Sequence, residues 1–112
     1  MTGVFVAAVA QYPVSRPGSW AEFEAQLARW VETAAARDAK LLVFPEYASM
    51  VLGAVLDEKR QQDLSGQLIA LQDLRDAYVD LHRRLASRYG VHILAGSFPG
   101  HLAEVGRYVN RA

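Results

Sequence analysis

Leu41-Leu42-Val43-Phe44-Pro45-Glu46-Tyr47 is the stretch that decides the fold. Residues 41–44 are apolar without alternation, as in a strand buried on both faces of a parallel sheet. Pro45 has no backbone N–H to continue a ladder, so the strand stops there. Glu46 follows at once, just past the strand's carboxyl end. In open α/β sheets that rim is where ligands sit.

Outward from this stretch the same pattern repeats. Residues 4–10 (VFVAAVA) and 91–95 (VHILA) are two more unalternated apolar runs. The first run leads into a loop over residues 11–18, punctuated by Pro13, Pro17 and Gly18. Ser19 followed three residues later by Glu22 forms a capping box, in which Ser19 satisfies backbone N–H groups of the first turn and Glu22 reaches back. Trp20, Phe23, Leu27, Trp30, Val31 and Ala34 then step by three and four, which predicts a helix to about residue 38 with both tryptophans in its packing face. Residues 48–56 predict a loop or short helix. Leu64, Leu68, Leu71, Leu74, Tyr78, Leu81, Leu85 and Tyr89 mark a longer helix, with Arg83, Arg84 and Arg88 near its negative dipole end and Gly90 as its cap. After residues 91–95, a loop containing Pro99, Gly100 and Gly106 leads to a strand at residues 107–111 (RYVNR). The order is β-α-β-(short element)-α-β-β, an α/β layered fold with a largely parallel sheet. The strand, helix and strand at its start form a βαβ unit, whose crossover is right-handed.

Composition narrows the chemistry. The chain has 112 residues, with 12 Lys and Arg against 12 Asp and Glu, and no Cys. A disulfide scaffold, a cysteine metal site and thiol chemistry carried by this chain alone are thereby excluded. The longest uncharged apolar stretch, residues 48–56, falls well short of the roughly 18 residues of a membrane span. With zero formal charge, strong electrostatic capture of nucleic acid or anionic lipid is not expected. A cytoplasmic location is the expectation, since residues 1–10 lack the positive segment of a secretory signal.

Among individual side chains, Glu46 is the strongest candidate for chemistry. Its backbone is stiff, and partial shielding by Phe44 and Tyr47 is expected to make it a better general base. Ser97 lies in Ala-Gly-Ser-Phe-Pro-Gly, which is not the G-x-S-x-G elbow, and reads as a turn residue. His82, His92 and His101 have no H-x-x-H or H-E-x-x-H spacing, so no metal site is expected. The turn after the first run lacks the glycine motifs that cradle phosphate. The arginine cluster reads as a solvated helix end.

Four segments together resemble the nitrilase, or carbon–nitrogen hydrolase, superfamily. They are Val9-Ala10-Gln11-Tyr12-Pro13-Val14, Ala39-Lys40-Leu41-Leu42-Val43-Phe44-Pro45-Glu46-Tyr47, Tyr89-Gly90-Val91-His92-Ile93-Leu94-Ala95-Gly96-Ser97 and Tyr108-Val109-Asn110-Arg111-Ala112. The resemblance implies a partial nitrilase-type α-β-β-α sandwich, with mostly parallel central strands and helices packed on one face, incomplete at the C-terminus, and residues 1–112 as the N-terminal portion of one domain. It also implies a Glu–Lys–Cys catalytic group acting on a small-molecule amide or nitrile, without cofactor or metal, in a homo-oligomer. Only the glutamate maps here, to Glu46. There is no cysteine, and Lys40 and Lys59, the only lysines, do not match the family's lysine. The chain alone is therefore expected to be inactive. A non-catalytic α/β binding or oligomerisation module is the competing expectation.

Overall fold

The computed structural model describes residues 3–11, 16–46, 48–56, 63–104 and 106–112. Pro13, Tyr47 and Lys59, and the Tyr12-Pro13-Val14 part of the first resembling segment, lie outside the described residues.

Three short strands form a parallel sheet in the order β1 (Ala7–Val9), β2 (Leu41–Val43), β3 (His92–Leu94). Ala7 is opposite Leu41, and Leu41 is opposite His92. Helix α1 (Trp20–Ala36) connects β1 to β2. A 3₁₀ helix (Ala48–Val55) and helix α2 (Leu64–Tyr89) connect β2 to β3. Strands β4 (Phe98–Leu102) and β5 (Arg107–Arg111) form a separate antiparallel hairpin. The sequence-derived order of elements holds, with β4 added to it.

The helix ends follow local chemistry. Ser19 Oγ accepts from the Glu22 N–H at 3.2 Å. Glu22 reaches back one residue further than a capping box requires, and its Oε2 accepts from the Gly18 N–H at 2.6 Å. Asp63 caps α2 by accepting from Ser65, and Gly90 closes it in the left-handed conformation at φ 63°, which costs a glycine no steric penalty.

The core forms where α1 and α2 meet one face of the sheet. Phe23, Leu27 and Val31 of α1 are buried with Leu71, Tyr78, Leu81 and Leu85 of α2, and Leu42 of β2 lies beneath them. Trp20 and Trp30 pack against this cluster, as their helical spacing predicts. Ala8 and Ile93 flank Leu42 on the same face.

Two expectations need correction. The unalternated run at residues 4–10 suits a strand buried on both faces, but only one face is covered, in keeping with helices packed on one face of the sheet. Val9 is 73% exposed and Leu94 57% exposed, because alternate residues along a strand point to opposite sides and both helices lie on one side. The ordered strands are also shorter than the apolar runs. β2 starts only after the turn that ends α1, so residues 3–5 have no partner rung, and Val6 itself accepts from the Lys40 N–H. The second correction concerns residues 98–102, read as loop from Pro99 and Gly100. They form β4, where Pro99 pairs with Asn110 and Gly100 with Val109. A hairpin ladder at the margin of the fold tolerates a missing N–H that a central strand would not. No helix among the described residues is long and apolar enough to cross a membrane.

Candidate active site at the strand tips

The carboxyl ends of β2 and β3 lie side by side, and the chain leaving them is fastened at several points. The Phe44 N–H donates to the Leu94 carbonyl at 2.9 Å, extending the ladder one rung beyond β2. The Ala48 N–H then donates to the Pro45 carbonyl at 3.1 Å, so the chain turns sharply at Glu46 and enters the 3₁₀ helix. On the other side, Gly96 has φ 82°, and a Cβ there would overlap the Pro45 carbonyl oxygen. Position 96 therefore has to be glycine on two counts: backbone conformation and the close approach of the two turns.

Two buried side-chain hydroxyls complete the fastening. Ser49 Oγ donates to the Ser97 carbonyl at 2.7 Å, across 48 residues of sequence. Tyr78 Oη donates to the Ala95 carbonyl at 2.9 Å from α2. Each bond satisfies a carbonyl of the β3–β4 connection that could otherwise be costly to bury. Ser97 thus takes part through its backbone, consistent with a turn residue.

Glu46 sits at this rim, as its position after Phe44-Pro45 indicates. Its side chain is exposed, so the expected shielding by Phe44 is not found. Phe44 turns inward to the core, where its ring meets His82 edge-on at 6.3 Å. Glu46 instead has a polar partner that sequence reasoning did not single out. Asn110 Nδ2, on β5, donates to Glu46 Oε1 at 2.6 Å, across 64 residues. No periodicity relates two polar residues so far apart. The signal available was indirect: Asn110 belongs to the last of the four segments that carry the family resemblance. What the arrangement provides is a carboxylate with one oxygen held by an amide donor and the group fixed at a strand tip.

The other sequence candidates sit elsewhere. His82 is buried on α2 beside the Tyr78 ring (centroids 4.3 Å apart), with Nδ1–H donating to the Tyr78 carbonyl at 2.7 Å. Burial holds its pKa below the ordinary histidine value, and the hydrogen bond to Tyr78 only partly offsets this. His92 and His101 are exposed. Arg84 is paired with Asp80 at 2.9 Å and Glu24 at 3.3 Å on the solvent side of the helices, as expected of a solvated helix end.

A family model for carbon-nitrogen hydrolases matches residues 6–112. The chain belongs to the carbon-nitrogen hydrolase family. Comparisons with curated proteins and with solved structures return no significant match. In this carbon-nitrogen hydrolase chain the matched region takes in all five strands and both long helices, and with them Glu46 and Asn110.

Proposed function

We propose that the chain contributes the general base, Glu46, to the hydrolysis of a non-peptide carbon–nitrogen bond in an amide or nitrile. The supporting observation is the carboxylate at the tip of the central strand β2, tied to Asn110, in a chain of this family. In the reaction a cysteine thiol attacks the amide carbon as Glu46 takes its proton. The tetrahedral intermediate, its negative oxygen stabilised by a lysine, expels the amine, which leaves with that proton. Glu46 then takes a proton from water as the water attacks the thioester, releasing the acid and returning the thiol.

On this reading the cysteine and the lysine come from sequence outside residues 1–112. The chain has no Cys, and Lys40 stands at the opposite end of β2 from Glu46. Residues 1–112 are then the N-terminal portion of the catalytic domain and have no hydrolase activity alone. The working protein is a cytoplasmic homo-oligomer acting on a small molecule.

The test compares this chain with a polypeptide from the same reading frame that carries the downstream Lys and Cys. The longer protein is expected to hydrolyse amides or nitriles, to lose activity on thiol alkylation, and to lose about 10²- to 10⁴-fold in rate with Glu46→Gln. Unaltered rates in Glu46→Gln would remove Glu46 from the mechanism. Amide hydrolysis by residues 1–112 alone, abolished by Glu46→Gln, would overturn the division of the site.

A second reading, a non-catalytic binding or oligomerisation module, draws on the bare apolar face that carries Val9 and Leu94. Self-association of the chain with no activity in any longer product would favour it.

A further inference from the structure

We infer that Gln72 is a positioning residue for the candidate site and acts on it through the β4–β5 hairpin. This inference rests on the reading of Glu46 as the base. Gln72 lies on α2, half-buried, facing β4. Both ends of its amide are used there. Nε2 donates to the Pro99 carbonyl at 2.6 Å and to Leu68 of its own helix at 3.1 Å. Oε1 accepts from the His101 N–H at 3.2 Å.

The C=O of Pro99 and the N–H of His101 point to the same side of β4, flanking Gly100. They are the two groups that a neighbouring parallel strand would engage. One side-chain amide therefore takes the place of an absent strand and holds the helix side of β4. The opposite side of β4 pairs with β5, where Pro99 stands directly across from Asn110. The Gln72 clamp thus falls on the rung that carries the partner of Glu46. Phe98 also anchors the hairpin, through its ring contact with Tyr78 at 5.2 Å, but that contact lies at the hairpin's root. With the root alone fixed, the ladder is free to tilt about it. Gln72 is the second point that sets the tilt, and with it the reach of Asn110 to Oε1. Held in this way, Glu46 keeps Oε2 for the proton it is to receive.

The experiment is heteronuclear NMR on the ¹⁵N-labelled full chain, reading the Asn110 side-chain NH₂ signals and amide exchange in β4 and β5. Loss of the signals in Asn110→Ala assigns them, and Glu46→Gln gives their position without the carboxylate. Gln72→Met, similar in length but without hydrogen bonds, is expected to move the signals toward the Glu46→Gln position. It should also speed hairpin exchange by about fivefold or more. Gln72→Glu keeps an acceptor for His101 but loses the donor to Pro99, and is expected to shift the signals the same way. Asp63→Ala weakens the start of α2 without touching the hairpin, and should leave them in place. Asn110 signals that stay put in both Gln72 variants, or that move as far in Asp63→Ala, overturn the inference. If Glu46→Gln leaves hydrolysis by the longer protein unaltered while Gln72 still moves Asn110, the base reading fails and the coupling stands.

Discussion

The layer between the helices and the sheet is held differently from the rim of the same sheet. In the layer, Phe23, Leu27, Val31, Leu42, Leu71 and Leu81 are all buried together, and no single contact fixes any one of them. At the rim, each loop is held by individual polar bonds: Ser49 to Ser97, Tyr78 to Ala95, Asn110 to Glu46. Apolar contact is additive and tolerant of direction, whereas a hydrogen bond is directional and costly to leave half-made. The layer therefore determines whether the chain folds, and the rim determines where a few atoms come to rest.

The comparison can be broken most forcefully in the layer. Phe23 is buried against Trp20 (5.3 Å between ring centroids) and Tyr78 (6.0 Å). Phe23→Ala is expected to cost about 3–5 kcal/mol, read as a lowered midpoint in urea. A loss below about 1 kcal/mol would mean that the layer is not close-packed.

A smaller effect is expected at the rim. Ser49→Ala leaves the Ser97 carbonyl buried without its donor, at a cost of about 1–2 kcal/mol. The expected signature is local. Amide exchange should accelerate around residues 96–98 more than in α2, and a uniform acceleration would show that the hydroxyl merely fills space.

The smallest effect lies between the two regions, at His82. Its native pKa is lowered by burial, so on acidification the unfolded chain takes up a proton that the native ring resists. The contribution is level above the ordinary histidine range. It falls as pH drops below about 6.5, by at most about 1.4 kcal/mol per pH unit, until the native ring also titrates. Urea midpoints of wild type and His82→Gln between pH 7.5 and 5.5 should converge as pH falls. Parallel curves would show that His82 gains its proton as readily native as unfolded.

What the sequence reveals follows the same division. The three apolar runs and the three-and-four spacing of α1 and α2 are repeated signals, and they give the layer and the order of elements along the chain. Glu46 is legible too, because a proline-terminated strand delivers the next side chain to the rim. The bonds that hold the rim are not legible. Ser49 and Ser97, Gln72 and Pro99, and Asn110 and Glu46 are single polar pairs at long separation, and nothing in composition or period links them. Strand β4 was hidden for a related reason: Pro99 and Gly100 are turn residues by local preference, and only pairing with β5 and the clamp from α2 make them extended. The bare outer face is legible in part: the fold class puts the helices on one face only, although an apolar run is the same whether one or two layers will cover it.

The brevity of the parallel strands also shapes how one molecule can meet another. Each spans three residues, so the outermost edge offers a stranger only a rung or two, too little to template a growing ribbon. The broad greasy plane around Val9 and Leu94 is the stickier surface. Any surface that comes to cover this chain therefore has more to gain from the plane than from the edge.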